Sequence, residues 1–253
     1  MQSKTMTAPT SLELLRSMTL SGLVQDEILR GIKAGELTAG GKLNEVELSE
    51  RLGISRSPVR EAFRALEEAG LVRLEKNRGV FIRDLSDEEA RELYEVRGGL
   101  DDMTGRLLAS RITDEALAEL ETIVLQLEQS SISGGINHYF PLNIAFHDRL
   151  VELAGNLTLL AFYRQVVNRM HLLRRSGFSV AGSSSASHTE HRRILEALRT
   201  RDPDIAAQAM RQHVQNGYHR AQTAHHAADN AKPEAGDEPK QATQSGRSAT
   251  SSA

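Results

Sequence analysis

Residues 43–66 read LNEVELSERLGISRSPVREAFRAL, and this stretch decides the interpretation of the first part of the chain. Leu43, Val46, Leu48 and Leu52 recur at helical rather than strand spacing. Gly53 follows them where a helix often ends in a left-handed residue, a conformation that glycine adopts at little cost. The stretch predicts a short helix, a tight turn and a second helix, the pattern of a helix-turn-helix that binds DNA.

The second helix of this stretch has a clear start and a clear buried face. Ser55 or Ser57 can cap its first turn, where Pro58 is also well placed because that turn does not use every N–H group. Its apolar residues repeat at helical spacing, and they are Val59, Ala62, Phe63 and Leu66. We expect these four side chains to pack against the rest of the domain.

The polar face of the same helix carries arginines. Arg56, Arg60 and Arg64 are spaced by four and therefore lie along one side. An arginine there can bind a guanine edge with two hydrogen bonds or clamp a phosphate. Ser55 and Ser57 are short enough to let the helix N-terminus approach a phosphate. A merely solvated face is the alternative, but the glycine turn and the Ser-Arg-Ser-Pro start favour DNA contact.

The flanking segments complete a winged helix. Residues 23–32 form a short amphipathic helix, and residues 70–83 form two short strands around a polar tip. Lys76, Asn77, Arg78 and Gly79 make the turn between these strands. Three helices and a hairpin with a basic tip predict that Lys76, Arg78 and Gly79 reach the DNA backbone or the minor groove beside the second helix.

Composition limits the class of protein. The chain has 253 residues without cysteine or tryptophan, which excludes disulfides and cysteine-bound metals and fits a reducing cytoplasm. No run approaches the roughly 18 apolar residues of a membrane span. The net charge is −3, but it is uneven, because residues 51–64 hold four arginines and the single acid Glu61. A local basic stripe suits binding to one DNA site rather than to any DNA.

The remaining chain predicts a helical bundle. Ser86-Asp-Glu-Glu is a capping start for a long first helix. Further helices are expected over residues 114–130, 137–155, 157–176, 186–200 and 202–224, which makes an antiparallel bundle of about six. We therefore divide the chain into a disordered N-terminus (1–16), a winged helix-turn-helix DNA-binding domain (17–85), a helical domain (86–225) and a disordered tail (226–253).

Residues 23–85 resemble the DNA-binding domain of the GntR family of bacterial transcription regulators. The resemblance rests on four motifs, which are LNE-x-ELSE at 43–50, SRSPVREA at 55–62, GLV at 70–72 and RGVF at 78–81. It implies that Ser55, Arg56, Ser57 and Arg60 approach DNA, with the wing glycine at Gly79. An arginine that many members carry before the turn falls on Val46, so one of their contacts is missing here.

Residues 88–220 resemble the FCD domain, the helical effector-binding domain of one branch of that family. The motifs are LYEVR at 93–97, AFHDRL at 145–150, LAGN at 153–156, EHRRILEAL at 190–198 and AMRQH at 209–213. Six helices rather than seven place the chain with the VanR-like subgroup. This resemblance implies that an organic acid controls the protein.

The FCD resemblance also implies a metal site. The matching ligand positions are Asn143, His147, His191 and His213, and the spacing of four puts the first two on one helix face. These ligands suit divalent zinc, nickel or manganese. The first ligand is usually aspartate, so asparagine predicts weaker binding. A metal with arginines could bind a carboxylate, and we name Arg97 and Arg174 as candidates.

The sequence thus predicts a ligand-responsive transcription factor, most often a repressor. A homodimer would present two recognition helices to a pseudo-palindromic operator. One alternative is a metallohydrolase that uses the histidines, with Glu190 beside His191 as the base, although no His-Glu-x-x-His arrangement is present. Another is an architectural DNA-binding protein, in which the bundle only dimerises and the histidines only pack.

Overall fold

The N-terminal part of the chain is a winged helix-turn-helix, as predicted. The computed structural model describes residues 19–133, 135–173 and 183–230. The first elements are helix α1 (Leu20–Ala34), strand β1 (Lys42–Leu43), helices α2 (Glu45–Leu52) and α3 (Arg56–Glu68), and strands β2 (Val72–Glu75) and β3 (Gly79–Ile82). The strands form one antiparallel sheet in the order β1-β3-β2, with Leu43 opposite Val80.

Strand β1 corrects one expectation. Leu43 belongs to this strand and not to the first helix, because the side chain of Asn44 caps α2 by accepting from the N–H groups of Val46 and Glu47. Leu43 is nevertheless buried, and it belongs to the apolar core of the winged helix. The sheet of the wing is therefore three-stranded, because β1 adds a strand to the predicted hairpin.

The turns follow the predicted chemistry. Gly53 ends α2 with φ 65°, and its N–H donates to the carbonyl oxygens of Glu50 and Ser49. At the wing tip, Asn77 and Gly79 also have positive φ values, 62° and 112°. Ser55 occupies the position before α3 with extended backbone, but its hydroxyl makes no capping hydrogen bond within the described residues. The expected serine cap is thus present in backbone geometry only.

One apolar core holds these elements together. Each large apolar side chain buried in such a core stabilises the fold by about 1.5–3 kcal/mol relative to an exposed one. The buried face of α3 is the one predicted. The core consists of Val24, Ile28, Ile32, Leu43, Leu48, Val59, Ala62, Phe63, Leu66, Leu71, Val72 and Ile82.

The second part is a bundle of six α-helices within the described residues. They are α4 (Asp87–Ala109), α5 (Asp114–Ser133), α6 (Gly135–Leu153), α7 (Leu157–Met170), α8 (Ser183–Arg199) and α9 (Pro203–Asn230), with a 3₁₀ turn at His171–Leu173. None of the described helices is long and apolar enough to cross a membrane.

The predicted helix bounds needed three corrections. The helix expected over 157–176 stops at Met170 and continues as the 3₁₀ turn. The helix expected over 137–155 ends at Leu153, because Gly155 takes φ 69° and Asn156 caps the next helix. Helix α9 extends to Asn230, so the predicted disorder of residues 226–230 is wrong. The rest of the predicted disordered ends, 1–16 and 231–253, lies outside the described residues.

Helix α4 is the long first helix of the bundle, and it packs closely against α9. Ser86 and Glu89 form the predicted capping box at its start. Gly105 lies against the backbone of α9, since a Cβ atom there would come within 2.8 Å of atoms of Ala206 and Ala207. This contact brings α9, with His213, alongside the helices that carry the other predicted ligands.

Candidate functional site

The start of α3 presents the residues predicted to contact DNA. Ser55, Arg56, Ser57 and Arg60 are all exposed, as is Arg64 one turn further along. Arg56 and Arg64 form no ion pair with any other described residue. Three charged guanidinium groups therefore lie on the solvent side of the helix whose opposite side is buried.

Arg60 differs from the other arginines because it has a partner. Its Nε donates to Oε2 of Glu45 at 2.9 Å, which joins α3 to the first turn of α2. This hydrogen bond raises the pKa of Arg60, which stays charged in any case. The arginine side chain is 63% exposed, so the pair holds its guanidinium near the protein surface without burying it.

The wing adds basic residues around one aromatic ring. Lys76, Arg78 and Gly79 are exposed as expected, and Arg78 pairs with Glu75 at 2.5 Å. The charged ends of Lys42, Arg73 and Arg78 lie 5.5–5.9 Å from the centre of the Phe81 ring. Sequence reasoning missed Lys42 and Arg73. Their place beside Phe81 follows from the register of the sheet, in which both are opposite that residue.

The helical domain brings three of the predicted metal ligands together. His147 on α6, His191 on α8 and His213 on α9 are all buried, and one nitrogen of each lies within 4.8 Å of the others. The Nε2 atoms of His147 and His213 are 3.1 Å apart, and these two rings stack with centroids 4.9 Å apart. We call these three residues the histidine cluster.

Burial keeps two members of the histidine cluster neutral. It is the main cause that lowers the pKa of His147 and of His191 well below the usual value, and the nearby His213 acts in the same direction. Neutral imidazole is the form that binds metal, because it keeps a lone pair on one nitrogen. The Nδ1 atoms of both residues have no hydrogen-bond partner within the described part of the chain.

The side chain of Asn143 shows whether a cation fits beside the histidine cluster. It lies one turn before His147 on α6 and lines the same cavity as His147 and His213. Its Oδ1 atom is buried and accepts no hydrogen bond from any described residue. Most buried polar atoms in proteins have a hydrogen-bond partner. An amide oxygen that lacks one and lies beside imidazole nitrogens suits the binding of a divalent cation.

The buried carboxylate of Glu190 contacts the histidine cluster through His213. Glu190 accepts from Nδ1 of His213 at 2.8 Å, from Asn216 at 2.8 Å and from Arg220 at 2.7 and 2.9 Å. Burial opposes its charge, but the hydrogen bonds from His213 and Arg220 outweigh that effect and lower its pKa to about 2. Of these residues, His213 was predicted as a metal ligand and Glu190 only as the base of the hydrolase alternative, while Asn216 and Arg220 had no predicted role. No sequence spacing signals the network, because it joins α8 to α9 through packing.

A cavity of about 120 Å³ opens beside the cluster. By volume it holds about four water molecules at roughly 30 Å³ each, which is comparable to a small organic acid. Two arginines line it, Arg97 and Arg220, together with the rings of Tyr94 and Tyr163. The predicted Arg97 therefore lies at the cavity, whereas Arg174 lies outside the described residues.

Arg97 is held in place from two sides. Its Nε donates to Oδ2 of Asp101 at 2.6 Å, and this ion pair is almost fully buried. Its guanidinium lies 4.7 Å from the centre of the Tyr163 ring. The buried Tyr163 hydroxyl has no partner among the described residues, and burial raises its pKa, so it stays protonated and able to donate. The cavity thus offers cationic and hydroxyl donors.

The 3₁₀ turn joins this cavity to the winged helix. His171 and Leu173 line the cavity, while the side chain of Leu172 packs against the apolar core of the winged helix. Just before the turn, Arg169 lies 3.1 Å from the position that a Cβ of Gly70 would take, and 3.8 Å from Glu89. One short segment therefore contacts the cavity on one side and the DNA-binding part on the other.

Comparisons with known proteins match both parts of the chain. The family of bacterial regulatory proteins called gntR matches residues 20–82, and the FCD domain matches residues 92–216. A transcriptional regulator of the Nta operon from Aminobacter aminovorans is 34% identical over 180 residues, which cover 71% of this chain and 83% of that protein. A probable repressor of a D-xylose utilization operon from Paenarthrobacter nicotinovorans is 30% identical, with 81% and 89% covered.

Solved structures show the same fold. E. coli McbR/YncC superposes with a TM-score of 0.74 at 20% identity, covering 82% of this chain and 99% of that one. A GntR regulator from Rhodococcus sp. RHA1 gives a TM-score of 0.68 at 24% identity, with 81% and 98% covered. At these identities the likeness concerns the arrangement of helices and strands.

Proposed function

The chain belongs to the GntR family of transcriptional regulators and carries an FCD domain, and from this premise we propose that a small organic acid controls its affinity for an operator. The observation that carries the proposal is the histidine cluster beside a cavity lined by two arginines. The relatives are regulators of transcription, which favours this function over the hydrolase alternative.

Asn143, His147, His191 and His213 would hold a divalent cation, with zinc, nickel or manganese as candidates. Such an ion supplies positive charge that attracts a carboxylate oxygen of the acid. Three imidazoles and one amide supply no negative charge to the ion, so metal affinity depends on geometry and on the lowered pKa values that keep His147 and His191 neutral. Asparagine in place of the usual aspartate makes the site weaker than in relatives that carry the acid.

The acid would bind in the cavity between the cation and the arginines. A guanidinium binds a carboxylate with two parallel hydrogen bonds, and Arg97 and Arg220 both reach the cavity wall. Each already has a protein partner, Asp101 for Arg97 and Glu190 for Arg220. These partners fix the two guanidinium groups in advance, which lowers the entropy that binding must remove. Arg174, predicted for the same role, stays a candidate.

We propose that the protein works as a homodimer on a pseudo-palindromic operator. Ser55, Arg56, Ser57 and Arg60 of each subunit would enter the major groove, and the wing residues Lys76, Arg78 and Gly79 would contact the backbone beside it. Val96 and Met103 on α4 are seven residues apart on one face and about half exposed. Phe162 on the neighbouring α7 is also exposed, so this apolar surface is our candidate for the contact between subunits.

The 3₁₀ turn would carry the signal between the two parts. An acid bound in the cavity contacts the wall formed by His171 and Leu173, and Leu172 transmits a shift to the core of the winged helix. The two DNA-binding parts of a dimer would then change their spacing. Operator affinity falls when the acid binds, and we propose that the protein is a cytoplasmic repressor released in this way.

Footprinting on the DNA that flanks the gene of this protein tests the proposed DNA-binding mode. We expect protection of a short two-fold symmetric site by the full-length protein. Uniform protection without a preferred site would contradict a specific operator and would favour the architectural role. Size-exclusion chromatography with light scattering on the same preparation tests the homodimer.

A further inference from the structure

Glu190 is the most highly connected buried carboxylate near the histidine cluster. It is 8% exposed and accepts four hydrogen bonds, one from His213, one from Asn216 and two from Arg220. The donors all come from α9, while Glu190 belongs to α8 beside the cluster residue His191. A carboxylate with so many fixed donors has a defined position and a defined charge.

The bond to His213 decides which nitrogen of that ring carries the proton. An ionised carboxylate only accepts, so the 2.8 Å contact places the proton of a neutral His213 on Nδ1. The lone pair is then on Nε2, the atom that faces Nε2 of His147 at 3.1 Å. Without an acceptor behind Nδ1, a neutral imidazole could place its proton on either nitrogen.

We propose that Glu190 is the positioning residue of the metal site, fixing the tautomer and ring orientation that turn Nε2 of His213 toward the cation. This inference rests on the proposed metal site and deepens it. Asn216 and Arg220 take up the remaining lone pairs of the carboxylate and keep it from rotating away from His213. The negative charge of the carboxylate also makes the lone pair of Nε2 a stronger metal ligand. Carboxylates that accept from metal-bound histidines have the same effect in other proteins.

A purely structural role is the rival explanation, in which Glu190 only joins α8 to α9. Glu128 provides a matched control, because it also pairs with a histidine and an arginine. It contacts His188 at 3.4 Å and Arg192 at 2.5 Å, but it lies on α5 and does not contact the histidine cluster. Glu190→Gln and Glu128→Gln each remove one charge while conserving volume.

The experiment uses the full chain with ¹⁵N-labelled histidine, freed of metal and then titrated with zinc against a chromophoric chelator. We expect the His213 ring of the metal-free wild type to show the Nδ1–H tautomer. The amide of Glu190→Gln can turn either its oxygen or its NH2 group toward Nδ1, so we expect a mixture of both tautomers and a fall in zinc affinity of about 10- to 100-fold. Glu128→Gln should leave both readouts unchanged, and Glu190→Asp should restore part of the affinity.

The possible failures are distinguishable. A wild-type His213 in the Nε2–H tautomer would overturn the role of Glu190 even if Glu190→Gln did not fold. A folded Glu190→Gln protein with wild-type zinc affinity would overturn it too, while leaving the metal site intact. A wild type that binds no zinc would overturn the metal site of the proposed function together with this inference.

Discussion

The Nε2 atoms of His147 and His213 face each other at 3.1 Å in the helical domain. With the proton of His213 on Nδ1, this contact is a hydrogen bond only if His147 carries its own proton on Nε2. A tetrahedral zinc with bonds of about 2.0–2.1 Å separates two ligand nitrogens by roughly 3.3 Å. The same two rings can therefore share either a proton or a cation with little movement, provided that the His147 proton moves to its Nδ1 atom.

Asn143→Asp should strengthen metal binding. The buried Oδ1 of Asn143 has no donor among the described residues, and a carboxylate there adds a charge that attracts the cation. We expect zinc affinity to rise roughly tenfold or more, while the metal-free variant becomes less stable because its new charge is buried without a partner. Zinc competition titrations and thermal unfolding with and without zinc measure the two effects. Equal zinc affinities would remove Asn143 from the ligand set.

Arg60→Ala should weaken operator binding far more than Arg64→Ala. Each contact of an arginine with a base is worth about 1–3 kcal/mol, and a dimer loses two, so we expect at least a roughly 25-fold loss. Both side chains are exposed on α3, which makes the pair a matched comparison. Fluorescence anisotropy with the footprinted site measures the effect. Similar losses in both variants would contradict the assigned recognition surface.

Gly105→Ala should destabilise the helical domain, whereas Gly98→Ala on the same helix should not. A Cβ at position 105 would meet backbone atoms of α9 at 2.8 Å, but one at position 98 finds nothing within 4 Å. We expect a loss of about 1–3 kcal/mol for the first change. The second should be neutral or gain about 0.5–1 kcal/mol, because alanine suits a helix better than glycine. Urea unfolding followed by circular dichroism checks both.

Leu172→Ala should uncouple the cavity from the DNA-binding part. The variant removes the side chain that the 3₁₀ turn places against the winged-helix core, but it leaves the histidine cluster and α3 in place. We expect zinc affinity to stay near the wild-type value while the effect of an acid on DNA affinity shrinks several-fold. Leu157→Ala, at an exposed residue of α7, is the control. An unchanged acid response in Leu172→Ala would rule out this route.

The sequence predicted the features that depend only on residues close together in the chain. The Gly53 turn, the capping box of Ser86 and Glu89 and the buried face of α3 all follow from local spacing, and the structure has each of them. Strand β1 was missed because two residues become a strand only through pairing with β3.

The chemistry around the histidine cluster was only partly accessible from sequence. His147, His191 and His213 came from the family resemblance, since nothing in their spacing shows that three helices bring them together. Glu190 was named only as a base in the hydrolase alternative and Arg220 was not named at all, because their contacts depend on how α8 packs against α9. Side chains that act through such contacts leave no periodic signal in a single sequence.

The most direct test of the account is the operator affinity of the zinc-loaded, full-length protein in the presence of lactate, succinate, malate and citrate. Coupling energies of about 1–3 kcal/mol correspond to roughly 5- to 150-fold changes in affinity. We predict that at least one acid weakens anisotropy-detected DNA binding by a factor in this range. We also predict that His213→Ala binds the operator but no longer responds. A wild-type affinity that no acid changes, or a His213→Ala variant that responds like the wild type, would contradict control through the histidine cluster.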